Sequence, residues 1–301
     1  MNTLGPRRLN SPLRLLAAVA FNFAVMYTFL GTLVWLGVID RVRTDYSFLA
    51  WMNILVGVLL SGGTFLVYRF LDRGSPLAFG FRMNRRDGVF AGVTLLLSVI
   101  FAIAFIAIIG QDQGLGAEFQ LHKLARPSMI GLMMLGLIGW IVAVMQEEVL
   151  YRGYFYANLQ RLHPLVLILV SAFFFSLTHI PTKGIALIPL IIHFVGGIGY
   201  GYVYFKSGSL LLSTLLHGMH NFLLDILFNN DYSVTLVTLA HPLDDSVKLA
   251  QQLMLLAAIL LITHVFYGRN GAFTPADNLR KMWNTKPEHM YLLQQQPYQA
   301  R

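Results

Sequence analysis

Apolar runs of roughly twenty residues recur along the chain, broken by short polar stretches. They fall at about 13–39, 48–70, 88–110, 129–149, 164–182, 185–205, 209–228 and 249–267. A helix needs about 20 residues to cross the hydrocarbon core of a bilayer. Lipid offers no partner to an open backbone group, so such segments are helical. Buried helices of a water-soluble protein would need polar faces, and these are scarce here. The pattern predicts an all-α, polytopic membrane bundle of about eight transmembrane helices over 1–269. The remainder, 270–301, is polar, contains Pro275, Pro287 and Pro297, and reads as a disordered tail.

Composition agrees with the pattern. The 301 residues are 56% hydrophobic and 12% charged, against about 25% charged in a typical soluble domain. Arg7, Arg8 and Arg14 precede an apolar run longer than a usual signal sequence, so the first run is expected to be a retained span. Cysteine is absent, which removes thiolate nucleophiles, disulfides and Cys metal sites. The net charge of +8 raises the question of nucleic acid, and the positions of the basic residues answer it. Eight spans put 16 of the 22 Arg and Lys residues on the side of the termini and 6 on the other. Moving Arg152 into a span leaves 15 against 6. That bias predicts both termini in the cytoplasm, with the positive charge facing anionic lipid headgroups rather than nucleic acid. Gly196, Gly197, Gly199 and Gly201 suit close helix approach.

Ionisable side chains inside spans are costly and mark candidate sites. Three clusters qualify. In Glu147-Glu148-Val-Leu-Tyr-Arg152, Glu148 and Arg152 are four apart and share a helix face, whereas Glu147 points about 100° away. One reading is an ion pair closing the fourth helix at the membrane surface. The other gives Glu148 and Arg152 a structural role and leaves Glu147 free to act as a general base. In the second cluster Phe175 and His179 share a face, so the ring is placed to pack on the imidazole or wall off a site. In the third, His217 and Asn221 share a face, and both can donate hydrogen bonds to a developing oxyanion. His220 faces elsewhere; His193 and His264 have no evident partner, and Asp225 lies one turn beyond Asn221.

HExxH, the strong hydrolytic zinc signature, is missing, although Glu147, His179 and His217 from three helices would make a two-His, one-Glu metal set. Ser176 and Ser213 precede histidines on their own helices, but no GxSxG elbow accompanies them. Nucleotide and haem motifs are likewise missing. Three function classes stay open on residues alone: a hydrolase, an ion-coupled transporter, and a non-catalytic membrane immunity or scaffold protein. A transporter favours an inverted repeat, which the sequence does not display.

The three clusters together, EExxxR at 147–152, FxxxH at 175–179 and HxxxN at 217–221, resemble the CAAX protease and bacteriocin-processing (CPBP or Abi) family. These intramembrane endopeptidases are related to the type II CAAX prenyl endopeptidase. The resemblance covers about 140–225 closely. It implies that Glu147 activates water with help from His179, that His217 and Asn221 polarise the scissile carbonyl, and that Glu148, Arg152 and Phe175 support them. It implies a membrane-associated or prenylated protein or peptide as substrate, a bacterial or archaeal plasma membrane as setting, and a glutamate mechanism without a cofactor. Divalent metal such as zinc is the alternative. One conflict needs resolving. With helix ends at 149 and 164, Glu147 and His179 sit at opposite ends of adjacent spans, about 22 Å apart in depth. A fourth helix running on to about Leu162, with tilt or a break near Pro181, brings the two together.

Overall fold

The computed structural model describes residues 11–284 apart from 73, 113–115 and 230. Its main helices are α1 (Ser11–Trp35), α2 (Tyr46–Leu71), α3 (Arg85–Asp112), α4 (Pro127–Glu148), α5 (Pro164–Leu177), α6 (Leu187–Ser207), α7 (Leu210–Phe228), α8 (Asp245–Tyr267) and α9 (Asp277–Asn284). Seven of these elements are long and apolar enough to cross a bilayer, and the chain is a multi-pass membrane helix bundle. The fifth predicted span, 164–182, is shorter than expected, because α5 ends at Leu177. Its 14 residues rise only about 21 Å. The Thr178 hydroxyl bonds back to the Phe175 carbonyl at 2.6 Å. Pro181, which has no N–H to continue α5, begins a separate single turn, Ile180–Lys183.

The fourth span departs from the expected boundary in the opposite direction. After Glu148 the backbone opens into a wide π turn, Val149–Tyr154, then returns to α-helix over Phe155–Asn158. The continuous element has 32 residues, Pro127–Asn158. Glu147 thus stands 11 residues from its end, a rise of about 16 Å, while His179 lies about 22 Å beyond the start of α5. The two depths nearly match, which removes the conflict posed by the shorter boundaries.

Small residues let these helices approach. A methyl group on Gly218 of α7 would lie 2.8 Å from Ile141 Cα of α4, and one on Gly197 of α6 would lie 2.9 Å from Ala172 Cβ of α5. Gly208, with φ +69°, closes α6, and its N–H bonds to the Tyr204 carbonyl at 2.8 Å. The Ser209 hydroxyl then caps α7 by accepting from Leu212 N–H at 3.1 Å. This tight hairpin sets Tyr200 of α6 beside His217 of α7.

The end of the bundle that carries Arg69, Arg82, Arg85, Lys206 and Arg269 is closed by a buried aromatic cluster. Tyr68, Phe79, Tyr154, Tyr156, Tyr204 and Phe205 form it, and each is 5% exposed or less. Three of their hydroxyls bond internally. Tyr154 donates to Asp72 at 2.8 Å, Tyr156 to the Gly201 carbonyl at 2.9 Å and Tyr204 to the Phe79 carbonyl at 3.1 Å. Asp72 also pairs with Arg14 of α1. Within the segment 270–301, α9 buries Leu279 in this cluster, and the Lys206 ammonium donates to the Gly271 and Thr274 carbonyls at 2.7 and 2.8 Å. Residues 285–301 of that predicted tail, and Arg7 and Arg8, lie outside the described residues. At the opposite end, β1 (Glu118–Phe119) and β2 (Val237–Thr238) pair antiparallel between loops.

Candidate active site

Glu148 is fully buried and has three partners. Its Oε1 lies 3.1 Å from Arg152 Nη1 and 2.9 Å from His217 Nδ1, and its Oε2 accepts from the Ser213 hydroxyl at 2.6 Å. Arg152, also fully buried, donates from Nη2 to the Gly197 carbonyl at 3.1 Å and stacks its guanidinium 4.6 Å from the Phe175 ring centre. The predicted pairing of Glu148 with Arg152 is present. The bonds from His217 and Ser213 were not anticipated, because they cross from α7 to α4. A carboxylate only accepts, so His217 Nδ1 carries a proton and donates it to Glu148. That fixes the ring and turns Nε2 toward the other glutamate.

Glu147 faces two imidazoles. Its Oε1 lies 3.9 Å from His179 Nε2 and its Oε2 3.8 Å from His217 Nε2. Both distances exceed a direct hydrogen bond and invite a bridging water. Oε2 is buried and, among the described residues, has no hydrogen-bond partner. The side chain as a whole keeps 19% of its surface exposed. The 147–148 dipeptide thus divides as the helix geometry predicted, one carboxylate neutralised within the bundle and one left without a fixed bond. His179 is oriented from behind, since its Nδ1 is 3.0 Å from the Phe175 carbonyl and the Phe175 ring meets it edge-on at 4.9 Å. Phe175 also meets the His217 ring edge-on, at 5.7 Å. It therefore packs on both histidines and on Arg152.

His217, Asn221 and Phe175 line a cavity of about 740 Å³, a volume within the usual range of ligand sites. Asn221 is half-buried there. Glu147 and His179 lie outside the lining and adjoin it through His217 and Phe175. Asp225 also lines the cavity, held by the Trp140 indole N–H at 2.5 Å and by the Asn229 amide.

Two histidines that sequence reasoning left aside belong to this neighbourhood. The His193 ring lies 3.7 Å from that of His179, tilted by 31°, and its Nδ1 is 2.6 Å from the Pro189 carbonyl. His193 lies on α6, whose packing on α5 creates the contact; an intramembrane histidine without a motif was the only signal. His220 is buried between the Tyr200 hydroxyl at 3.0 Å and Ser98 Oγ at 2.8 Å. The Tyr200 ring in turn stacks on His217 at 4.2 Å and 17°. His220 thus braces His217 through Tyr200.

Among the described residues no three His, Cys, Asp or Glu side chains converge in a geometry that would hold a metal ion. Of the set Glu147, His179 and His217, the two imidazole Nε2 atoms stand 3.9 and 3.8 Å from the Glu147 oxygens.

A helix bundle that gathers two glutamates, an arginine and four histidines within its spans defines a membrane protein with a polar intramembrane site. A type II CAAX prenyl endopeptidase Rce1-like family domain is present over residues 129–223, a segment that holds every one of the predicted site residues. Comparisons with curated proteins and with solved structures each found no match.

Proposed function

We propose that the chain is an intramembrane endopeptidase in which Glu147 activates water. The observation that carries this reading is the convergence of Glu147, His179 and His217, from three separate elements, around a carboxylate oxygen with no fixed hydrogen bond. The family domain that spans all three supports it.

Charge balance suits the role. Glu147, Glu148 and Arg152 together carry one net negative charge, which is costly in a dry interior. A single proton on Glu147, His179 or His217 cancels it, so the cluster holds one exchangeable proton. In the reaction Glu147 takes a proton from water, and the water oxygen attacks the peptide carbonyl carbon. The carbonyl π bond opens to an oxyanion. Asn221 donates to it from Nδ2, and His217 donates from Nε2 when its ring is doubly protonated, with Nδ1 still bonded to Glu148. Collapse of the tetrahedral species breaks the C–N bond, and Glu147 returns its proton to the leaving amine. His179 steadies the attacking water from the other side of Glu147.

The substrate in this reading is a membrane-associated protein or peptide, prenylated or not, in the surrounding bilayer. The test compares peptides in membranes from cells carrying the wild type and Glu147→Gln. Loss of a general base lowers a rate about 10²–10⁴-fold, so specific cleavage products should vanish while the variant accumulates normally. Unchanged products would defeat the assignment.

A further inference from the structure

The cavity beside His217 runs in one direction only. The helices that enclose it contribute residues 98–105 of α3, 189–200 of α6, 217–228 of α7 and 245–255 of α8. In each helix these are the half remote from the basic end. Among the described residues, the inner halves of the same helices, 201–207, 210–216 and 256–267, supply no lining. They pack instead into buried clusters that include Tyr204, Phe205, Leu212 and Ile259. The cavity therefore has its floor at the depth of Tyr200 and His217. Its mouth lies where α7 ends and α8 begins, beside Asp231 and Lys248.

The two ends of the bundle differ in their share of basic residues. Among the described residues ten, Arg14, Arg69, Arg82, Arg85, Arg86, Arg161, Lys206, Arg269, Arg280 and Lys281, lie at the floor end, against six, Arg41, Arg43, Lys123, Arg126, Lys183 and Lys248, at the mouth end. Cytoplasmic loops carry the excess of Arg and Lys. We infer that the cavity opens on the extracytoplasmic face, and that its occupant is a polypeptide segment already translocated across the membrane or exposed on its outer side. The identity of the occupant rests on the hydrolase reading; the side of the opening does not. Such a segment would descend between α7 and α8, with its carbonyl groups reaching His217 and Asn221 about halfway down.

The absence of cysteine makes the test direct. Single-cysteine variants Asp231→Cys at the mouth, Gln251→Cys inside the cavity and Asn270→Cys at the basic end are treated in intact cells with a membrane-impermeant maleimide. Asp231→Cys and Gln251→Cys should label at least tenfold more than Asn270→Cys, which should label only after permeabilisation. Labelling of Asn270→Cys in intact cells, or of Gln251→Cys only after permeabilisation, overturns the inference. In the second arm, Gln251→Cys cells are labelled from outside, and the membrane peptides missing in Glu147→Gln cells are followed. Their production should fall at least tenfold, and undiminished production overturns the route. If no peptide differs between wild type and Glu147→Gln, the hydrolase reading fails, and the labelling pattern still decides which face the cavity opens on.

Discussion

Replacing Arg152 with methionine removes the permanent cation paired with Glu148. The guanidinium gives up its ion pair at 3.1 Å, its bond to the Gly197 carbonyl at 3.1 Å and its stacking 4.6 Å from Phe175. Glu148 keeps its bonds from Ser213 and His217 but loses its guanidinium partner at zero exposure. Breaking a buried pair from one side costs about 3–5 kcal/mol. Total stability is commonly about 5–15 kcal/mol, so the variant should populate unfolded states heavily. At about 2 °C per kcal/mol for a chain of this size, the melting temperature should fall by about 6–10 °C. Adding Glu148→Gln removes the stranded charge, while the amide oxygen can still accept from His217. The double variant should recover about 2 kcal/mol or more relative to the sum of the singles. The assay is thermal unfolding of the purified protein in detergent, for wild type, both singles and the double. If the losses simply add, the two side chains are energetically independent and the reasoning about the pair is wrong.

Other outcomes follow from the same geometry. His193→Phe keeps an aromatic surface against His179 but removes the imidazole; cleavage should fall about tenfold with protein level unchanged, and equal turnover would set His193 aside as packing. Gly218→Ala drives a methyl to 2.8 Å from the Ile141 backbone, so it should cost about 1–3 kcal/mol and displace His217. Gly92→Ala, which meets nothing within 4 Å, should be silent, and similar melting of the two would refute the close approach of α4 and α7. Cleavage by purified protein should persist in a chelator if Glu147 alone activates the water, and its loss with recovery on adding zinc would reverse that. Asp45 caps α2 by accepting from Phe48 N–H at 3.0 Å, and its hydrogen bond from Arg41 holds its carboxyl below the ordinary Asp value. Its contribution is therefore full above roughly pH 4 and fades as pH falls through the lowered value. Asp45→Ala should cost about 1 kcal/mol at pH 7 and progressively less in strong acid, measured by unfolding at both pH values.

The bundle and the site were legible to different depths. The apolar runs located the seven helices long enough to cross a bilayer and the shorter α5, because lipid forces every spanning backbone into the same element. Pairs four residues apart were legible too: Glu148 with Arg152, Phe175 with His179 and His217 with Asn221 need only helical periodicity to share a face. Contacts between helices were not. Nothing local says that His217 bonds to Glu148, that His193 stacks on His179 or that His220 braces Tyr200, since each depends on how helices cross. The end of α5 was misplaced because apolar residues continue past Thr178 while the backbone turns on Pro181. Helix α9 escaped notice because one buried leucine in a polar octet gives little signal.

The wide turn at Val149–Tyr154 changes how the fourth span should be read. An α-helix advances about 100° per residue, so its faces keep a fixed phase from end to end. A π turn holds more residues per revolution and sets that phase back. Upstream of it the helix presents Glu147 to the histidines, and downstream it presents Tyr156 to Gly201. The two faces are thus uncoupled, and each half meets its own neighbours without a compromise in rotation. Straightening the turn into regular α-helix with every residue kept would put Tyr156 about 100° out of register with its carbonyl, leaving the site half of the span in place over a broken floor, whereas deleting one residue as well would absorb the setback.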